Sequence, residues 1–232
     1  MEAVVLAGGL GTRLRSVVPD LPKPMAPVAG RPFLEILLSS LARQGVARVV
    51  LSVGHRAAQI VEHFGAAYDG LEIDYAVEDA PLGTGGAVRL ALSRCRSEPV
   101  LVLNGDTFLE LDLPALWACW RADRAPVVVA REVEDTARFG RMRIEDGRVI
   151  AFAEKGVAGP GTINGGVYLV PRDLLDGFEP GRAFSIESDF FTPQAGRRTI
   201  RAFVARGRFI DIGVPDDYAR AQSLLAPFAR PA

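Results

Sequence analysis

The feature that most constrains this chain is a repeated switch of hydrophobic period. Residues 3–6, 49–53, 100–103 and 127–130 are short apolar runs of the kind that form buried strands, and residues 71–77 alternate well enough for a further strand. Between them lie stretches with helical spacing. Leu34, Leu37, Leu38 and Leu41 make one apolar stripe that Gly45 is placed to end, and residues 55–64, 83–92 and 113–120 read as further helices. Strand and helix in alternation, with short links, predict an α/β fold. Its core is a Rossmann-like, doubly wound, mostly parallel sheet with helices on both faces. From about Arg138 the rhythm changes. Residues 142–144, 149–152 and 167–170 read as strands separated by turns such as Asp146-Gly147, which predicts a small antiparallel section laid over the sheet. Helices are expected again over 186–191 and 215–225, the latter with Pro215 in its first turn and Asp216 and Asp217 at its positive end. No repeat or linker divides the chain, so one domain over 1–232 is expected.

The first strand runs into Gly8, Gly9 and Gly11, where the backbone can turn sharply and approach a ligand without a Cβ in the way. Consecutive N–H groups in such a turn can cradle an anion. Thr12 adds a hydroxyl and Arg13 a forked cation suited to phosphate oxygens. Lys23 follows between Pro22 and Pro24, on a stiff segment. Two better-known phosphate loops are excluded by spacing. No Lys-Ser or Lys-Thr pair follows the glycines, and Gly9-Leu10-Gly11 is followed by Thr12-Arg13-Leu14 without the third glycine of a dinucleotide fingerprint.

The whole string GGLGTRL, with PKPM about ten residues on, resembles the signature of the sugar-1-phosphate nucleotidyltransferases. The resemblance runs from Val4 to about Ala221. It implies a nucleotide-binding half over about 1–130 and a sugar-phosphate half with a closing helix over 131–226, without the C-terminal β-helix of larger members. It implies that Leu6, Ala7, Gly8, Gly9, Gly11, Thr12, Arg13 and Lys23 hold the nucleoside triphosphate. Asp106, straight after the apolar run 100–103, and Asp211, in Phe209-Ile210-Asp211-Ile212-Gly213, are the implied ligands of Mg²⁺. Magnesium commonly takes one or two carboxylates plus phosphates and water. On the acceptor side the resemblance implicates Gly140, Glu154, Lys155, Asn164, Gly165 and Glu187, whose polar side chains suit sugar hydroxyls and phosphate. Arg13, Lys23, Asp106 and Asp211 are the implied catalytic set.

Composition agrees with that class. The net charge of −1 offers no general attraction for nucleic acid, and neither a signal peptide nor an apolar run of membrane-spanning length is read. Cys95 and Cys119 have no metal-binding spacing, which favours a cytoplasmic setting. His55 and His63 read as surface residues of a helix. Only two of the 27 basic residues are lysines, Lys23 and Lys155, so these are expected where a compact ammonium is needed.

The resemblance also bears on substrates. Glu78 closes the run 71–77, five residues before Gly83-Thr84, and with Leu82 it is expected at the base. An ionised glutamate only accepts, and guanine alone among common bases offers two adjacent donors, so GTP is the expected donor. Within the family, LRSVVPDLPKPMAPVAGRPFLE looks like the guanylyltransferases that use D-glycero-α-D-manno-heptose 1-phosphate, in the service of cell-surface polysaccharides. Mannose 1-phosphate, or uridylyl and thymidylyl transfer to another hexose 1-phosphate, is the alternative. The family often forms dimers or tetramers, so the resemblance leaves the assembly open, with a homodimer among the options it implies. From other classes, a non-catalytic nucleotide-sugar sensor is disfavoured by the presence of both aspartates, and a nicotinamide oxidoreductase by the missing glycine.

Overall fold

The computed structural model describes residues 1–9, 11–14, 17–153 and 156–229. β1 (Glu2–Leu6) leads through 3-10 turns at Thr12–Leu14 and Lys23–Met25 into a small hairpin, β2 (Pro27–Val28) and β3 (Arg31–Pro32), and then α1 (Phe33–Arg43). Next come β4 (Arg48–Val53), α2 (Ala57–Phe64), β5 (Ala67–Tyr68), β6 (Leu71–Val77) and α3 (Gly83–Leu92). β7 (Val100–Asn104), β8 (Thr107–Leu109), α4 (Leu113–Arg121) and β9 (Val127–Val133) follow. The remainder holds β10 (Met142–Glu145), β11 (Arg148–Phe152) and β12 (Gly161–Val170). A π-helical segment, Ile186–Phe191, then runs into α5 (Thr192–Gln194), β13 (Arg201–Ala205), β14 (Phe209–Asp211) and α6 (Pro215–Leu224).

One ten-stranded sheet carries most of these strands, in the order β10-β11-β13-β9-β12-β7-β1-β4-β6-β5. β7, β1, β4 and β6 are mutually parallel. The chain moves from β1 to β4 and β6 on one side, then returns to place β7 on the other. That reversal opens a crevice at the carboxyl ends of these strands. Each strand divides its side chains between two cores, as the two-residue period requires. Ala3, Val5, Val49, Leu51, Leu101 and Leu103 pack with α1, α2, α4 and α6, while Val4, Val50, Val100 and Val102 pack with α3 and the 184–191 segment. Both faces are covered, which is why the strands read as unbroken apolar runs.

Two expectations for the second half are corrected. The antiparallel section is not laid over the sheet but continues it, with β12 antiparallel to both β7 and β9, and β13 parallel to β9. The last strand of that section starts at Gly161, not at 167, so Asn164-Gly165-Gly166 lies inside β12. There the register slips, Asn164 opposing Ala130 and Val167 opposing Val129, and the two glycines form the bulge between them. Mixed polarity hid β13, and brevity hid β8 and β14, none of which was expected from sequence. No helix among the described residues is long and apolar enough to cross a membrane.

The edge opposite the crevice is held by charge. Glu2, Arg48 and Glu72 are register neighbours at the starts of β1, β4 and β6. The Arg48 guanidinium, 5% exposed, lies 2.6 Å from Glu2, 3.0 Å from Glu72 and 2.6 Å from Asp74. Burial opposes the Glu2 charge, but hydrogen bonds from Ser97, Arg96 and Arg48 outweigh it and hold the carboxyl below its ordinary value. Arg48→Ala leaves that carboxylate buried and unpaired. It is expected to cost about 3–5 kcal/mol in urea unfolding. In the unsubstituted protein Glu2 contributes stability above the ordinary glutamate range, and that contribution is lost as pH falls through the lowered folded value. A change below 1 kcal/mol on removing Arg48 would show the cluster to be solvated surface charge (about that size).

Candidate active site

A cavity of about 540 Å³ lies in the crevice, within the size range of small-molecule sites. The ends of β1, β4, β6 and β7 each supply lining residues: Leu6, Gly54, Glu78 and Asn104. The three loop glycines serve three different needs. A Cβ on Gly8 would stand 2.7 Å from Glu78 Oε1, so Gly8, which lines the cavity, also makes room for a side chain of the protein. Gly9 has open space on its Cβ side and lines the cavity, as expected for close backbone approach. Gly11 adopts φ +59 and passes 2.9 Å from Lys23 Cβ. Ala7 is buried and donates its N–H to Ser52 O at 2.7 Å. Thr12 and Arg13 sit on an exposed 3-10 turn and are not among the residues that line the cavity. Leu10 lies outside the described residues.

Lys23, another residue that lines the cavity, joins the two aspartates. Its ammonium, on a side chain 10% exposed, donates to Asp106 Oδ2 at 2.6 Å and lies 3.8 Å from Asp211 Oδ1. A small two-stranded sheet creates this meeting. β14 pairs with β8 so that Asp211 opposes Thr107, and the Ile212 N–H donates to Asp106 O at 3.0 Å. The Gly213 N–H donates to Asp211 Oδ1 at 2.7 Å, and a side chain at 213 would collide with that carboxylate and with Lys23 Nζ. Burial, reinforced by the Asp106 charge, raises the Asp211 carboxyl above its ordinary value, and Lys23 opposes the rise. Among the described residues no cluster of three or more His, Cys, Asp or Glu could hold a metal by side chains alone.

Glu78 stands at the end of β6 with both oxygens already engaged. Ser52 Oγ donates to Oε1 at 3.3 Å and the Leu82 N–H to Oε2 at 2.9 Å. Leu82 therefore acts through its backbone and is not among the lining residues, whereas Gly83 and Thr84 are.

The acceptor residues are brought together in part. Glu187 Oε2 accepts from Thr84 Oγ1 at 2.8 Å and from Ser185 Oγ at 2.9 Å. Its Oε1 accepts from Tyr168 OH at 2.9 Å, and Tyr168 OH accepts from Asn164 Nδ2 at 2.8 Å. Glu187 and Asn164 thus clamp β12 to the start of α3. Gly165 is packed between Leu109 and Val129, and Gly140 against Ala153 O. Neither Asn164, Gly165 nor Gly140 is a cavity-lining residue. Glu154 and Lys155 lie outside the described residues.

Sequence reasoning missed two participants. His55 is not in α2: Arg56 takes a left-handed conformation, φ 59, so the helix begins at Ala57 and His55 occupies the turn before it, lining the cavity. His63 stays on the helix, 2.7 Å from Glu35. Ser52 was passed over inside an apolar run, although a hydroxyl amid Val50, Leu51 and Val53 was the visible signal.

Comparison with known proteins follows from this geometry. A family model described as nucleotidyl transferase matches residues 2–226. The chain is 41% identical over 226 residues to D-glycero-alpha-D-manno-heptose 1-phosphate guanylyltransferase of Aneurinibacillus thermoaerophilus, covering 97% of this chain and 98% of that protein. It is 37% identical to the mannose-1-phosphate guanylyltransferase of Mycobacterium tuberculosis, covering 96% of this chain and 64% of that one. The crystal structure of HddC from Yersinia pseudotuberculosis complexed with GMP-PN superposes with a TM-score of 0.86 at 38% identity, over 96% of this chain and 98% of that one.

The clamp at Glu187 yields a direct test. Tyr168 is fully buried, and Tyr168→Phe strands the Asn164 amide and one Glu187 oxygen. The substitution is expected to destabilise by about 1–3 kcal/mol in thermal or urea unfolding. An unchanged midpoint would mean that these bonds are replaced by water.

Proposed function

The chain belongs to the nucleotidyl transferase family, and we propose that it transfers GMP from GTP to D-glycero-α-D-manno-heptose 1-phosphate, releasing pyrophosphate. The observation that carries this reading is the convergence, in one cavity, of Gly9 backbone, Lys23, Glu78 and Asp106, with Asp211 beside them. The choice of sugar is supported by identity that spans nearly all of both chains. The mannose enzyme named above continues well beyond the part that this chain matches.

Glu78, Gly83 and Thr84 are assigned to the base, and Lys23 and Asp106 to the phosphates; all five line the cavity. In the reaction a phosphate oxygen of the sugar 1-phosphate attacks the α-phosphorus of GTP, and the bond to the β-phosphate oxygen breaks. No protein nucleophile is needed, so the chain contributes position and charge. Gly9 lets the backbone reach the phosphates, and Lys23, besides bonding Asp106, keeps ammonium donors for a phosphate oxygen. The donor set also suits a divalent cation. Two carboxylates, Asp211 at the end of β14 and Asp106 in the turn before β8, with no third acidic side chain grouped with them among the described residues, match the sparse protein ligation typical of magnesium. Asp106 and Asp211 would hold Mg²⁺, which would draw charge from the phosphate oxygens; Lys23 meanwhile keeps the two carboxylates together. Arg13, on its exposed turn, is assigned to the pyrophosphate side, and Lys155 to the sugar phosphate.

Pyrophosphate release, measured for five nucleotides against several sugar 1-phosphates, tests the whole reading. GTP with the heptose 1-phosphate is the pair expected to turn over fastest; mannose 1-phosphate as the better acceptor would transfer the assignment to the mannose enzymes. Asp106→Asn and Asp211→Asn should each retain the fold and lose more than about tenfold in kcat at saturating Mg²⁺, a barrier rise above about 1.4 kcal/mol. Activity above that level in either variant would remove it from the metal site.

Base choice has its own test. Glu78→Gln should depress kcat/KM for GTP and improve UTP or dTTP relative to it, because an amide both donates and accepts where the carboxylate only accepts. Unaltered ratios would mean that Glu78 does not read the base.

A further inference from the structure

β4 is buried along its whole length, Arg48–Val53, and the residues beside Ser52 are apolar. Ser52 is 0% exposed. A hydroxyl in such a position needs a partner, since a buried polar group left unpaired is costly. The partner of Ser52 Oγ is Glu78 Oε1, 3.3 Å away, across from β4 at the end of β6. The other oxygen, Oε2, receives the Leu82 N–H at 2.9 Å, and the Glu78 N–H is itself fixed on Val53 O at 2.8 Å. Gly8 closes the third side, because any Cβ there would meet Oε1 at 2.7 Å. The carboxylate is therefore gripped from three strand ends while it lines the cavity.

The grip has a chemical consequence. An ionised carboxylate offers about four acceptor positions, two on each oxygen. Ser52 takes one on Oε1 and Leu82 one on Oε2. One position on each oxygen is left, which is what two adjacent donors require. The backbone N–H of Leu82 can only donate, so it excludes any arrangement that turns a donor toward it. We propose that Ser52 is a specificity-determining positioning residue: with the Leu82 N–H it orients Glu78 so that both oxygens meet the N1–H and N2 amino group of guanine. This rests on the reading of Glu78 as the base-contact residue. It adds that discrimination depends on a core hydroxyl that does not line the cavity, and it points to hypoxanthine, which keeps N1–H and lacks the amino group, as the informative competitor.

The experiment compares kcat/KM for GTP and ITP, with melting temperature, in the unaltered enzyme and in Ser52→Ala, Ser52→Cys and Glu78→Gln. The unaltered enzyme should prefer GTP over ITP by about tenfold or more, the scale of a paired base contact. Ser52→Ala should raise KM for GTP about tenfold, the scale of a hydrogen bond to a charged group, keep kcat, and narrow the GTP/ITP ratio. Ser52→Cys preserves volume but donates weakly, so it should follow the alanine variant rather than the unaltered enzyme. A cysteine variant with normal selectivity would show that Ser52 only fills space. Equal losses for GTP and ITP in Ser52→Ala would reduce Ser52 to a structural role and overturn the proposal. If Glu78→Gln shifts base choice while Ser52→Ala leaves both KM and the ratio intact, Glu78 reads the base without Ser52. Should Glu78→Gln leave all nucleotide ratios unchanged, the underlying reading of Glu78 fails, and the inference with it.

Discussion

Two carboxylates brought together in a partly buried place repel each other unless a cation stands between them, and much of this structure serves that arrangement. The Lys23 ammonium is the cation, reaching Asp106 at 2.6 Å and Asp211 at 3.8 Å. The three residues come from the first loop, the end of β7 and the last strand, so one ion-pair group ties both ends of the chain together. β8 and β14 are too short to stabilise much by themselves, yet their pairing sets Asp211 opposite Thr107 and next to Asp106. Pro22 and Pro24 flank the lysine, and Gly11 and Gly213 are small where its stem and head pass. Burial and the Asp106 charge raise the Asp211 carboxyl above its ordinary value, and Lys23 opposes that rise.

What was legible in the sequence was what period and punctuation encode. β1, β4 and β7 are buried and largely apolar, β6 alternates, and α1 and α3 carry clear stripes or boundaries, so these elements were legible. β13 did not, because Arg201–Ala205 mixes exposed and buried positions and begins on a charge. β12 was cut short because Asn164-Gly165-Gly166 looks like a turn, and only the partner strand reveals that it is a bulge within a strand. Asp106 and Asp211 were readable one residue at a time, each after an apolar run, but their approach depends on long-range pairing that no local pattern contains.

The glycines make the same point at atomic scale. Gly8, Gly9 and Gly11 look alike in a sequence and were explained alike, by closeness to a ligand. In the structure only Gly9 faces open space. Gly8 yields to Glu78, and Gly11 to Lys23 and to its own positive φ. A residue can thus be required at a binding loop because of what supports the loop from behind.

That distinction bears on where selectivity is built in this domain. Two of the polar side chains that line the cavity are held by groups that do not line it. Ser52 and the Leu82 N–H grip Glu78; Tyr168, through Glu187, grips Thr84. Ser52 and Tyr168 are fully buried, so their bonds are made in a region where an unmade one is expensive. Such a site gains orientation from the core rather than from the ligand, and the ordering cost is met when the protein folds instead of when the nucleotide arrives. On the proposed reading of Glu78, residues lining the cavity decide which chemical groups are read, whereas buried polar residues such as Ser52 decide how strictly they are read.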